Sequence, residues 1–158
     1  MDYFKILAIV SPFISASLTA LFAYNFTMKA KRFDLLHQSK IPAFKELSVT
    51  LINYKNYCLG QVANYEGNEF SPYSEETGGT LHHRTEIAQT ASMNVIYFSI
   101  KTRKKLDDLL NEMSLHCNME LYIASGQDVG NQKESYFNMA EIAENCINEL
   151  YTELNLKP

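Results

Sequence analysis

The sequence predicts an all-α protein: an N-terminal single transmembrane helix that continues into a stalk, followed by an antiparallel bundle of about four helices. Three observations carry that prediction. An uncharged, apolar run extends over residues 6–28. Apolar residues recur at alternating three- and four-residue spacings through most of the chain beyond that run. Only four prolines and six glycines punctuate 158 residues. Few breakers across long apolar seams favour helices over a β-sandwich, which needs frequent turns.

The first element is the apolar run itself. Its 23 residues make about 34 Å of helix, enough for a hydrocarbon core of roughly 30 Å. Within lipid only a helix satisfies every backbone N–H and C=O internally. Lys5 closes one end, and Lys29, Lys31 and Arg32 close the other. Those three residues argue for a stop-transfer flank against the rival reading, a cleaved secretory signal with small residues at 15–20. One basic residue before the span and three after it place the N-terminus outside and the C-terminal domain in the cytoplasm. The expected organisation is therefore a membrane anchor over residues 1–28, a juxtamembrane helical stalk over 29–41, and a cytoplasmic bundle over 42–158 at the cell membrane. Ser11/Ser15 and Ala16/Ala20 are small residues one turn apart, and Asn25 is polar within the run. These five are the candidates for self-association or partner contact.

Pro42 disfavours helical geometry at Ile41, so a bend is expected there before a second helix over residues 42–65. Its seam is Phe44, Leu47, Leu51, Tyr54 and Cys58, then Val62 and Tyr65. Residues 66–79 are polar and acidic, with Pro72 and Gly78–Gly79, and read as the longest loop, pinned by Phe70 and Tyr73. A third helix over residues 80–98 presents Leu81, Thr85, Ala88, Ser92, Val95 and Phe98, with Ile87 and Ala91 widening that face. Ser99 is the N-cap of a fourth helix over 100–124, whose stripe is Leu106, Leu109, Leu110, Met113, Cys117, Leu121 and Ala124, stopped by Gly126. The last helix, over 131–156, has the cleanest seam: Tyr136, Ala140, Ala143, Ile147, Leu150 and Leu154. An antiparallel bundle buries every stripe. An extended coiled coil is the alternative for the same seams.

Function is bounded more than named. A net charge of −4 opposes nucleic-acid binding. Three cysteines, Cys58, Cys117 and Cys146, lack metal or disulfide spacing and fall in apolar patterns, where a thiol packs as a small hydrophobe. There is no phosphate loop, nucleophile elbow, HExxH or dinucleotide fingerprint, so neither a cofactor nor a small-molecule substrate is indicated. His82 and Glu86 share a helix face at i, i+4 and are the weak candidates for metal ligation, short of the three or four ligands zinc requires. Lys101, Arg103, Lys104 and Lys105 would join Lys29, Lys31 and Arg32 at the cytoplasmic leaflet. Each is worth about 1 kcal/mol against anionic lipid; an ordinary solvated face is the other reading. The chain is expected to be a non-catalytic adaptor or sensor acting by contact with membrane lipid and a protein partner or a second copy. The alternative is an effector whose anchors cluster and perturb the bilayer, similar in layout alone to small anchored helical proteins of bacterial defence or toxin systems.

Overall fold

The computed structural model describes residues 3–67 and 78–154, with the backbone alone at helical residues 4–10 and 36. Helix α1 (Tyr3–Tyr65) runs through Pro12, Pro42 and Gly60 without a break. Ile41 is itself helical, so Pro42 does not force it out of helical geometry as expected. Proline's fixed φ is already close to helical, and its cost is one hydrogen bond and a crowded preceding turn. Ala43, Phe44 and Leu47, all buried just beyond it, hold that turn in place. The chain nevertheless divides at this proline into two compact units, Met1–Ile41 and Pro42–Pro158.

In the first unit the expectation of a membrane anchor is overturned. Among the described residues, no helix is long and apolar enough to cross a membrane. From Ser11 to Met28 the helix carries no charge, but Ser11, Pro12, Ser15, Ser17, Thr19, Asn25 and Thr27 dilute its apolar content. A lack of charge is a weaker condition than the sustained apolar content a span needs. With the span go the cell-membrane placement, the outside N-terminus and the inference of a cytoplasmic bundle. The side chains of Lys5, of residues 6–10 and of Leu36 lie outside the described residues, as do Phe70, Tyr73 and Leu156.

The second unit is a four-helix bundle built from the end of α1, α2 (Thr80–Met93), α3 (Ile100–Ala124) and α4 (Gln132–Glu153). Its helices alternate in direction, as cross-links at both ends show. Near one end Tyr57 of α1, Thr80 of α2 and Tyr136 of α4 all bond Glu120 of α3. Toward the other, Glu46 of α1 reaches Asn94 and Glu153 of α4 reaches Ser99. Closed reversals of this kind dispose of the extended coiled coil. The core joins Phe44, Leu47, Leu51, Tyr54 and Cys58 of α1 to Ile87 of α2, Leu106, Leu109 and Met113 of α3, and the whole α4 seam from Tyr136 to Leu150.

Local chemistry sets the helix ends. Ser99 caps α3 as expected, its Oγ accepting from Thr102 N–H at 3.2 Å. Asn131 caps α4, accepting from Glu134 N–H while its amide donates to the Glu134 carboxylate at 2.6 Å. α3 ends in a Schellman turn: Gly126, at φ 79°, donates to the Ile123 carbonyl, and Gln127 N–H returns to the Tyr122 carbonyl. The third predicted helix is shorter than expected. α2 stops at Met93, and a 3-10 turn (Val95–Tyr97) leads to Ser99.

On α2 the buried face lies beside the one read from the sequence, and on α3 the seam holds at Leu106, Leu109 and Met113 and departs from it beyond Met113. α2 buries Thr80, His83, Ile87 and Thr90, while Leu81 is 64% exposed. α3 buries Thr102, Leu106, Leu109, Met113 and His116, while Leu121 is 68% exposed. Thr80 and Thr102 occupy buried positions with side-chain hydrogen bonds to neighbouring helices, Thr80 to His116 and Glu120 and Thr102 to Glu153.

Candidate functional site

The predicted site residues fall into three groups. Ser11, Ser15, Ala16, Ala20 and Asn25 are all exposed on α1. Ser15 Oγ donates to the Pro12 carbonyl, Thr19 Oγ1 to Ser15 and Thr27 Oγ1 to Ala23, so these hydroxyls turn back on the helix and leave methyl and methylene surface outward. Around them stand Phe13, Ile14, Leu18, Leu21, Phe22, Tyr24 and Phe26, each at least half exposed. At about 100° per residue they cover more than half of the helix circumference. That apolar surface, interrupted by Ser11, Ser17 and Asn25, has nothing over it among the described residues.

The basic residues sort differently. Lys29, Lys31 and Arg32 are exposed on the first unit, and Lys101, Arg103, Lys104 and Lys105 belong to the second. Lys101 and Lys105 bind the same buried carboxylate, Glu149, at 2.8 and 2.9 Å. Arg103 Nε donates to the Phe98 carbonyl at 3.0 Å. A basic run at a helix N-terminus opposes the macrodipole. Here α4 supplies the offset: Glu149 binds the two lysines, and Glu153 accepts from Ser99 N–H and Thr102 Oγ1. Together Lys101 and Lys105 hold the Glu149 carboxyl below the usual carboxylate range, with burial opposing them. Lys101 and Lys105 thereby tie α3 to α4.

His82 and Glu86 approach to 3.4 Å, both well exposed, as an ordinary i, i+4 pair. Among the described residues no group of three or more His, Cys, Asp or Glu is placed to hold a metal ion.

The most developed polar site is one the sequence reading missed. Glu120 Oε1 accepts from Tyr57 Oη at 2.8 Å, Tyr136 Oη at 3.0 Å and Thr80 Oγ1 at 2.7 Å, and Oε2 accepts from Thr80 N–H at 3.0 Å. A single carboxylate thus joins all four helices of the bundle. It also replaces a missing cap, since Gly79 precedes α2 and offers no side chain to its first turn. The fit is close: a Cβ on Gly79 would stand 3.2 Å from Glu120 Oε2. His116, one turn earlier on α3, places Nδ1 3.0 Å from Thr80 Oγ1 and its ring edge-on to Tyr136 at 4.5 Å. Tyr57 continues the aromatic layer to His83 and Tyr54.

Electrostatics in this cluster follow from burial and from the carboxylate. Burial raises the Tyr57 and Tyr136 phenols well above their ordinary value, and Glu120 raises them further, so both are donors at any physiological pH. Burial pushes the Cys58 thiol up to about 12, which keeps it an unreactive core residue. His116 is lowered by burial, against the upward pull of Glu120. Thr80, His116 and Glu120 are the residue types of a nucleophilic triad, but the geometry is not that of one. In a triad the carboxylate and the hydroxyl bind opposite ring nitrogens. Here Glu120 Oε1, at 3.9 Å, and Thr80 both lie on the Nδ1 side, and the Thr80 hydroxyl is fully buried. The cluster organises helices. No known protein family, curated protein or solved structure matches this chain.

Proposed function

We propose that this protein acts by association with a second copy of itself, through the apolar surface of residues 11–28 of α1, and that the bundle is the interaction module so assembled; no catalytic step is assigned to it. One observation carries the reading: a stretch without charge, apolar over more than half its circumference, stands exposed on the first unit. A helix of that character is normally buried, and an apolar surface of such extent marks an interaction site. The second copy is favoured by the residues inside the surface. Ala16/Ala20 and Ser11/Ser15 permit close backbone approach, and Asn25 sits among large apolar side chains, where a polar residue fixes register and copy number.

The test is sedimentation equilibrium of the full chain in aqueous buffer at micromolar concentration. The native chain is expected to associate, and a Leu18→Ser, Leu21→Ser, Phe22→Ser variant to be monomeric with its thermal unfolding intact. A monomeric native chain, or one that enters solution only with detergent, overturns the proposal. So does a variant that associates as strongly as the native chain.

A further inference from the structure

We propose that Thr80, His116 and Glu120 form an acid-sensitive latch, which holds the first turn of α2 against α3 and releases it when His116 takes up a proton. The proton positions follow from the donors available. Glu120 as a carboxylate only accepts, so the Thr80 hydroxyl, 2.7 Å from it, is the donor. Thr80 Oγ1 then accepts from His116, which places the imidazole hydrogen on Nδ1 at 3.0 Å. The result is a one-way chain: Nδ1–H to Oγ1, O–H to Oε1. Nε2 is left as the bare nitrogen, buried and without a hydrogen-bond partner among the described residues.

An added proton therefore has one place to go, and it is a poor one. On Nε2 it creates a buried cation whose new N–H has no acceptor. Glu120 on α3 and Thr80 on α2 face the Nδ1 side of the ring and Tyr136 on α4 meets it edge-on, while Tyr57, Tyr54 and Cys58 on α1 lie around Glu120 and Thr80 rather than on the ring itself. Of these only Glu120 is an anion that favours the charged ring, and burial outweighs it. The latched state thus binds the proton more weakly than the open state, and acid favours opening. Opening begins at the first turn of α2 because that turn has no cap of its own. Thr80 N–H relies on Glu120, and the next amides, of His82 and His83, share the carbonyl of Gly79. Ile87, farther along, remains in the core.

Amide exchange of the full chain tests this, corrected for intrinsic rates. From about pH 7.5 to about pH 5.5, protection over residues 80–83 should fall roughly tenfold, as for a base with an ordinary value near 6.5 only when open. Residues 140–150 of α4 should keep their protection. His116→Asn offers an amide N–H in place of Nδ1–H and takes up no proton. It should keep its protection at both pH values. Glu120→Gln should lose it at both. Unchanged protection in the native chain, a pH dependence that survives in His116→Asn, or full protection in Glu120→Gln overturns the latch. Should His116→Asn fail to fold, the native ring decides by NMR. A His116 resonance titrating below the exposed histidines supports the latch, and one titrating with or above them overturns it.

Discussion

Two leucines on the same helix separate what holds the bundle together from what the first unit offers to a partner. Leu51 is 0% exposed and Leu21 is 60% exposed, both within α1. Replacing either by alanine makes the same chemical change with nearly the same effect on helix propensity. At Leu51 the lost burial is worth about 1.5–3 kcal/mol. A cavity term adds to it, because Leu47, Tyr54, Cys58, Leu109 and Met113 are themselves fully buried and leave little room for collapse. The expected loss is about 3–5 kcal/mol, the upper part of the range for such truncations. At about 3–6 °C per kcal/mol for a unit of this size, Tm falls by roughly 10–25 °C. At Leu21 most of the side chain is already in contact with water, so unfolding of the bundle should shift by less than about 0.5 kcal/mol. Urea unfolding followed by circular dichroism at 222 nm, at one low protein concentration, measures both. The concentration matters because association adds stability by mass action. A Leu51→Ala variant within about 1 kcal/mol of the native chain would refute the core assignment. A Leu21→Ala variant as unstable as Leu51→Ala would refute the separation of the two surfaces.

Two further outcomes test the α3–α4 junction. Ser99→Ala removes the acceptor of Thr102 N–H and should lower stability by about 1 kcal/mol in urea unfolding. Ser99→Gly should cost only a few tenths of that, because an N-cap glycine leaves the first amides open to water, and an alanine variant as stable as the glycine one would refute the cap. Glu149 carries a lowered carboxyl pKa, so its contribution is present above the usual carboxylate range and lost as pH falls through its folded value. The Tm difference between the native chain and a Lys101→Ala, Lys105→Ala variant should therefore shrink between about pH 5 and about pH 3, and it should also narrow in high salt, since Lys101 is largely exposed. A difference that stays constant with pH would remove Glu149 from the junction.

The elements most legible in the sequence are those in which apolar residues alone mark the buried face. The α4 seam, Tyr136 through Leu150, is buried as its spacing indicates, and Ser99 begins α3 where a capping residue precedes a helical pattern. Legibility fails where burial is polar. Apolar periodicity places Leu81 and Cys117–Leu121 on the inner faces, and the structure places Thr80, His83 and His116 there, with Glu120 beside them. The true spacings are equally regular: 80, 83, 87, 90 on α2 and 102, 106, 109, 113, 116, 120 on α3. Only the chemistry of the residues hides them, because a pattern of hydrophobicity reads a threonine, histidine or glutamate as facing outward. The apolar run at the start of the chain misleads in the opposite sense, since missing charges there resemble sustained hydrophobicity until its serines, threonines and asparagine are weighed. Most buried polar groups are completed by hydrogen-bond partners, and where those partners come from other helices they are invisible until the helices are assembled. A seam that continues in perfect register through polar residues is then a sequence signal in its own right. In this chain it leads from Ile87 to Thr80 on one helix and from Met113 to Glu120 on the next. The two lines converge on the one carboxylate that every helix of the bundle touches.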